Sequence, residues 1–101
     1  MIYHLTVHAA APGVEEIRIL EWHGGPGSSF VEGDLIVELE THKAVVELRA
    51  SQAGVLRVLK GEPGDWIRME QTLAYFSDDP KEALPSDGES IAEFMVTFEL
   101  T

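Results

Sequence analysis

The sequence predicts an all-β protein, built as a small barrel or sandwich of short strands. The runs between its turns are only about 4 to 8 residues long and rich in Val, Ile, Leu and aromatic residues, which is typical of strands. Glycine and proline separate these runs at regular intervals, and little of the chain has the spacing of an amphipathic helix. An internal repeat of about 37 residues indicates that two similar halves share one core.

Length and charge limit the classes of function. The chain has 101 residues, which fits one compact domain, and 45% of them are hydrophobic, which is enough for a core. The formal net charge is −11, from 18 acidic and 7 basic residues. This charge argues against nucleic-acid binding, because such proteins need basic groups to neutralise phosphates. It favours a partner with a basic docking face.

Neither secretion nor membrane insertion is expected. No apolar run approaches the roughly 20 residues that span a membrane. The N-terminus lacks the basic region and apolar core of a secretory signal. Cysteine is absent, so the chain can form neither a disulfide nor a thiol site, and a cytoplasmic or organellar-matrix setting is expected.

The strand pattern begins at Glu15–Trp22, where polar and apolar residues alternate, and it recurs after a shift of 37 positions. Each half consists of a strand, a glycine-proline-glycine turn, a short apolar segment and a second strand. Two copies are too few for a solenoid, so the repeat predicts a domain with pseudo-twofold symmetry. The matched segments are 17–22 with 54–59, 24–30 with 61–67, and 35–39 with 72–76.

The repeated turns have a conformational requirement. Pro26 and Pro63 fix φ at the first central position of each turn. Gly27 and Gly64 follow, where a type II turn needs a positive φ. The sequence therefore predicts the same turn twice, once in each half.

A hairpin is predicted near the middle of the chain. The runs 35–40 and 44–49 both alternate like strands, and only Thr41, His42 and Lys43 separate them. This places Lys43 at or beside the tip, where its aliphatic stem is free in water. Such a position suits a lysine that is modified and then swings between partners.

The stretch Glu40-Thr41-His42-Lys43-Ala44 resembles the attachment site of lipoyl domains, in which an acid, a threonine and a Lys-Ala pair mark the lipoylated lysine. The two similar halves and the later turns Gly54-Val55 and Gly64-Asp65 also resemble lipoyl/biotinyl attachment domains. The resemblance runs from about residue 2 to residue 77. It implies a flattened barrel of two four-stranded sheets with pseudo-twofold symmetry and the lysine hairpin at one end.

The resemblance also implies a function. Lipoate would be attached covalently to Lys43, and Glu40, Thr41, His42 and Ala44 would be recognition residues around it. The domain would be a free-standing carrier without catalysis of its own. Its partners would be a lipoate ligase or lipoyl transferase and the enzymes of a lipoate-dependent complex of the 2-oxo acid dehydrogenase type. The cofactor would perform the chemistry, and the protein would position it.

Two alternatives remain open. Lipoyl domains usually have Asp directly before the lysine, and this chain has His42, so an unmodified module for binding or assembly is the first alternative. A biotinyl carrier is the second. Biotin sites resemble Met-Lys-Met, whereas the methionines at positions 1, 69 and 95 adjoin no lysine.

No catalytic or metal site is predicted from the sequence. The four histidines and the many acidic residues show no ligand spacing or acid–base pair that defines one. Aromatic residues at matched places in the two halves are predicted to pack in the core. These are Trp22, Phe30, Trp66, Tyr75 and Phe76.

The C-terminal part extends beyond the resemblance. We divide the chain into an attachment-like domain (1–79), a polar connector (80–90) and an extra strand (91–101), in which apolar residues alternate from Phe94. An unpaired apolar strand favours aggregation, so this strand must pair. It could join a sheet of its own domain, form a homodimer with a second copy, or add to a partner's sheet.

Overall fold

The computed structural model describes residues 1–7, 15–42, 44–68, 70–83 and 92–100, and these residues form ten β-strands. None of the described residues lies in a helix long and apolar enough to cross a membrane. The strands are β1 (Ile2–Thr6), β2 (Glu16–Trp22), β3 (Ser29–Phe30), β4 (Leu35–Glu40), β5 (Val45–Ala50), β6 (Gly54–Leu59), β7 (Trp66–Arg68), β8 (Thr72–Ser77), β9 (Ala92–Glu93) and β10 (Val96–Leu100).

Two five-stranded sheets enclose the core, which confirms the predicted all-β barrel of two sheets. The strand order is β3-β6-β8-β1-β9 in the first sheet and β10-β5-β4-β2-β7 in the second. Without β9 and β10, each sheet has the four strands expected from the sequence. Alternate residues of the strands point inward, as in β5, where Val46, Leu48 and Ala50 are buried.

The pseudo-twofold symmetry is visible in strand order and in hydrogen bonds. The 37-residue shift places β2 on β6, β3 on β7 and β4 on β8, and each pair is divided between the two sheets. The halves also exchange matching backbone bonds. Gly27 N donates to Leu56 O at 2.8 Å, and the equivalent Gly64 N donates to Ile19 O at 2.7 Å. Each half therefore holds the turn of the other.

The repeated turns have the predicted geometry. Gly27 and Gly64 both have a φ of 96°, as the second central residue of a type II turn requires. Ser28 N donates to Gly25 O at 2.9 Å and Asp65 N to Glu62 O at 3.0 Å, which closes the two turns.

A second pair of equivalent positions differs in residue type. Gly33 has a φ of 97°, and Glu70, which lies 37 positions later, has a φ of 69°. A side chain in this left-handed region costs about 1–2 kcal/mol, whereas glycine adopts it without strain. The second half therefore carries backbone strain that the first half avoids.

We expect Glu70→Gly to raise the free energy of unfolding by about 0.5–1 kcal/mol, because the relief of strain exceeds the greater backbone entropy of unfolded glycine. Urea denaturation followed by circular dichroism measures the change. Gly33→Ala is the matched control and should lower stability. If Glu70→Gly proved destabilising, the positive φ of Glu70 would not be a source of strain.

The C-terminal segment forms two strands where the sequence predicted one. β9 pairs in parallel with β1, and β10 pairs antiparallel with β5, so the segment adds one strand to each sheet. Phe94 lies between them with 3% of its surface exposed, and its backbone N donates to His4 O at 2.9 Å. The chain passes from one sheet to the other at Phe94, which breaks the single strand that alternation alone predicted.

Phe94 closes one side of the core. Its ring stacks on Phe76, with 4.0 Å between centroids, and meets the edge of Tyr3 at 5.9 Å. The predicted connector begins with a turn over residues 79–82, in which Glu82 N donates to Asp79 O at 3.1 Å. Residues 84–90 of the connector lie outside the described part.

Candidate modification site

The hairpin between β4 and β5 forms the candidate site. Glu40 pairs with Val45 at the end of the ladder, and Thr41 N donates to Ala44 O at 2.8 Å. Only positions 42 and 43 separate these closing residues in the sequence. Lys43, the predicted attachment residue, lies outside the described residues, so the site is defined by its neighbours.

Thr41 braces the end of the hairpin. Its side chain has 8% of its surface exposed, and its Oγ1 accepts a hydrogen bond from Ala44 N at 3.1 Å. The same hydroxyl donates to Ala44 O at 3.3 Å. Thr41 and Ala44, both predicted as recognition residues, are therefore hydrogen-bonded to each other. These bonds fix the end of β4 and the start of β5, on either side of the tip.

We expect Thr41→Val to lower the free energy of unfolding by about 1–3 kcal/mol, because Ala44 N would lose its side-chain acceptor in a partly buried place. Urea denaturation gives the value. Thr41→Ser keeps the hydroxyl and is the control, with an expected loss well below that of valine. Equal stability of the valine variant and the unchanged chain would show that the hydroxyl does not brace the turn.

His42 stacks on Trp66. The ring centroids are 5.5 Å apart and the ring planes differ by 28°. Trp66 reaches the hairpin because β7 pairs with β2 and β2 pairs with β4, which aligns Trp66, Arg18 and Glu40 across three strands. We call His42 and Trp66 the aromatic pair.

The prediction that Trp66 packs in the core is wrong, since 46% of its surface is exposed. Trp66 and Arg68 flank the buried Ile67 in a three-residue strand, so they point outward. The alternation of this strand can be read from the sequence, but the contact between Trp66 and His42 cannot. Phe30 and Phe76, in contrast, are buried as predicted.

Glu40 is the acidic residue of the predicted recognition set. Its Oε1 lies 3.8 Å from Nη1 of Arg18, and the side chains are 39% and 44% exposed. An ion pair this exposed contributes little stability. Glu40 therefore presents its charge close to the hairpin tip, beside the guanidinium of Arg18.

A cluster with ligand-type atoms lies further along the outer face of the second sheet. One atom each of Glu21, His23 and Glu38 lies within 4.8 Å of the others. Glu21 and Glu38 are direct cross-strand partners, an arrangement that is unfavourable for like charges. His23 Nε2 lies 2.6 Å from Glu38 and 3.9 Å from Glu21. His23 is therefore within hydrogen-bond distance of Glu38, and Glu21 lies further away on the same face.

The chain is similar in sequence and in structure to biotin and lipoyl attachment domains. The family model described as "Biotin-requiring enzyme", which covers biotin and lipoyl attachment domains, matches residues 4–76. The solution structure of the lipoyl domain of the 2-oxoglutarate dehydrogenase complex from Azotobacter vinelandii superposes with a TM-score of 0.61 and 26% identity. The similarity covers 71% of this chain and 94% of that one.

Two of the curated relatives are acyltransferase components. The chain is 41% identical over 70 residues to the dihydrolipoyllysine-residue succinyltransferase component of the 2-oxoglutarate dehydrogenase complex of Staphylococcus saprophyticus, covering 69% of this chain and 16% of the relative. It is 32% identical over 82 residues to the lipoamide acyltransferase component of the branched-chain alpha-keto acid dehydrogenase complex of Pseudomonas aeruginosa, covering 73% and 19%. The chain thus spans less than a fifth of these relatives' length.

Proposed function

The chain belongs to the family of biotin and lipoyl attachment domains, and on that basis we propose that it is a lipoyl carrier modified on Lys43. The observation that carries the proposal is the braced hairpin end, in which Thr41 and Ala44 are bonded across the position where the sequence places His42 and Lys43. The solved neighbour is a lipoyl domain, and the names of the relatives refer to dihydrolipoyllysine and to lipoamide, which supports lipoate as the attached group.

The residues of the hairpin end suit the covalent attachment of lipoate. Lys43 would hold lipoate through an amide bond between Nζ and the lipoyl carboxyl group. When bound, lipoate supplies a disulfide that can be reduced and can carry an acyl group. The chain itself contributes a stiff base for the arm, because Thr41 fixes the strand ends and the β4–β5 ladder continues into the core.

Acidity favours brief encounters with several partners. A net charge of −11 attracts enzymes with a basic docking face, and such steering weakens as salt is added. Tethering then raises the local concentration of the arm without strong docking. We propose as partners a lipoate ligase or lipoyl transferase and the enzymes of a 2-oxo acid dehydrogenase type of complex. The proposed setting is the cytoplasm or an organellar matrix.

Intact mass spectrometry tests the proposal. The protein is produced in cells supplied with lipoate, beside a known lipoyl domain as the positive control, and the product is mapped by peptide. A lipoyl-sized increase on the peptide containing Lys43 is expected. A biotin-sized increase would assign a biotinyl carrier instead, and an unmodified chain beside a modified control would contradict the proposal.

The second candidate function is an unmodified module for binding or assembly. The aromatic pair favours it, because an exposed tryptophan beside a histidine resembles the anchor of a protein interface. The C-terminal strand could contribute by pairing with a second copy into a homodimer. The absence of any adduct, together with dimer formation in sedimentation experiments, would favour this function over the carrier.

A further inference from the structure

We propose that Trp66 is a resting site for the lipoyl arm of Lys43, with the dithiolane ring lying against the indole when no partner enzyme holds it. This inference rests on the proposed function and goes beyond attachment, because it gives the arm a defined place on its own domain. The ring of His42 already stacks on this indole, with 5.5 Å between the ring centroids.

The environment of Trp66 differs from that of the other tryptophan. Trp22 packs against the core, and its Nε1 donates to Gly61 O at 3.0 Å. Trp66 leaves 46% of its surface in water even though His42 covers part of it. The exposed part of this indole offers an apolar surface that a ligand can reach without rearrangement of the fold.

The arm has the chemistry to use this surface. Amide formation removes the positive charge of Lys43, so the modified side chain becomes a long, neutral, apolar chain that ends in two sulfur atoms. Sulfur makes favourable contacts with aromatic rings, and both partners lose apolar surface to water on contact. The charged neighbours Arg18 and Glu40 flank the aromatic pair and offer no such surface.

Tethering selects the arm as the occupant rather than a second protein. Lys43 is bonded to His42, so the arm begins one residue away from a ring already in contact with Trp66. Linking two groups through a short flexible tether gives effective concentrations in the millimolar range, about what a weak contact needs for partial occupancy. A contact of this strength holds the arm at rest and still releases it to an enzyme.

Tryptophan fluorescence tests the resting site. Lipoyl-lysine is installed at position 43 by codon reassignment, so the experiment does not depend on a cellular ligase. Trp22→Phe leaves Trp66 as the sole tryptophan, and Trp66→Phe, which leaves Trp22, is the matched control. A disulfide ring quenches indole emission on contact, whereas the reduced dithiol does not.

In the Trp22→Phe protein we expect the oxidised arm to reduce Trp66 emission roughly by half, because a tethered weak contact is only partly occupied. Reduction of the disulfide with a phosphine should restore most of the emission. Octanoyl-lysine at position 43 should leave the emission nearly unchanged, as should the lipoyl arm in the Trp66→Phe protein. Equal emission of Trp66 with lysine and with oxidised lipoyl-lysine at position 43 would overturn the resting site. Emission that changes only when a partner enzyme is added would overturn it in favour of macromolecular docking.

Should Trp22→Phe fail to fold, fluorotryptophan in the otherwise unchanged chain replaces it. The ¹⁹F resonance of Trp66 is assigned by its loss in Trp66→Phe, and it should shift between lysine and lipoyl-lysine at position 43. Identical spectra would again overturn the proposal. Failure of the proposed function is recognised separately, by the absence of an adduct in cells.

Discussion

Replacing Phe94 by alanine should lower the free energy of unfolding by about 3–5 kcal/mol, because it removes a buried ring and leaves a cavity against Phe76 and Tyr3. Phe94 is also the point at which β9 and β10 leave for different sheets. Its loss therefore loosens one strand in each sheet. Urea denaturation measures the free energy of unfolding, and the slope of the transition reports the surface area that unfolding exposes.

Phe98→Ala is the matched control. Phe98 lies on β10 opposite Leu48, but 37% of its surface is exposed, so we expect a loss of about 1 kcal/mol or less. Similar losses for both variants would mean that the C-terminal segment is held by its strand pairing alone. A Phe94→Ala protein as stable as the original would show that this segment does not belong to the folding unit.

Replacing Lys43 by arginine should abolish modification completely while leaving the fold unchanged. Arginine keeps the positive charge, but its guanidinium does not form the amide that attachment requires. Intact mass should show the unmodified chain, and the free energy of unfolding should stay within about 0.5 kcal/mol, because the sequence places this residue at or beside a hairpin tip rather than in the core.

The two other lysines provide controls for the attachment site. Lys60 Nζ lies 5.5 Å from the centre of the Tyr75 ring, and Lys81 N is bonded to Asp79 Oδ1 at 2.8 Å. Lys60→Arg and Lys81→Arg should both retain the full adduct. Modification that persists in Lys43→Arg and disappears in one of these variants would move the attachment site and refute the hairpin argument.

The sequence predicted those parts of the fold that depend on local chemistry. The Pro-Gly pairs define two type II turns, and the 37-residue repeat predicts β4 and β8 with matching lengths. Alternation in 35–40 and 44–49 predicts a hairpin, and the hydrogen bonds of Thr41 close it. Each of these features is set by residues close together in the chain.

Two features required the tertiary structure. The aromatic pair joins residues 24 positions apart, through a strand that lies between them in the sheet, so no local pattern indicates it. The division of the C-terminal segment into β9 and β10 depends on the space beside Phe76, which only the assembled sheets define. In both cases the local sequence was consistent with several contacts, and the packing of the assembled sheets determined which one forms.

The exchange of backbone bonds between the two halves has a consequence for breathing motions. Gly27 N donates to β6 of the second half and Gly64 N to β2 of the first, so each amide loses its hydrogen-bond acceptor when the opposite half moves away. Local unfolding of one half leaves backbone donors and acceptors of the other half without partners. The free energy of local unfolding of each half therefore depends on the other half. Deuterium should therefore enter at Gly27 and Gly64 at similar rates, although 37 positions separate them.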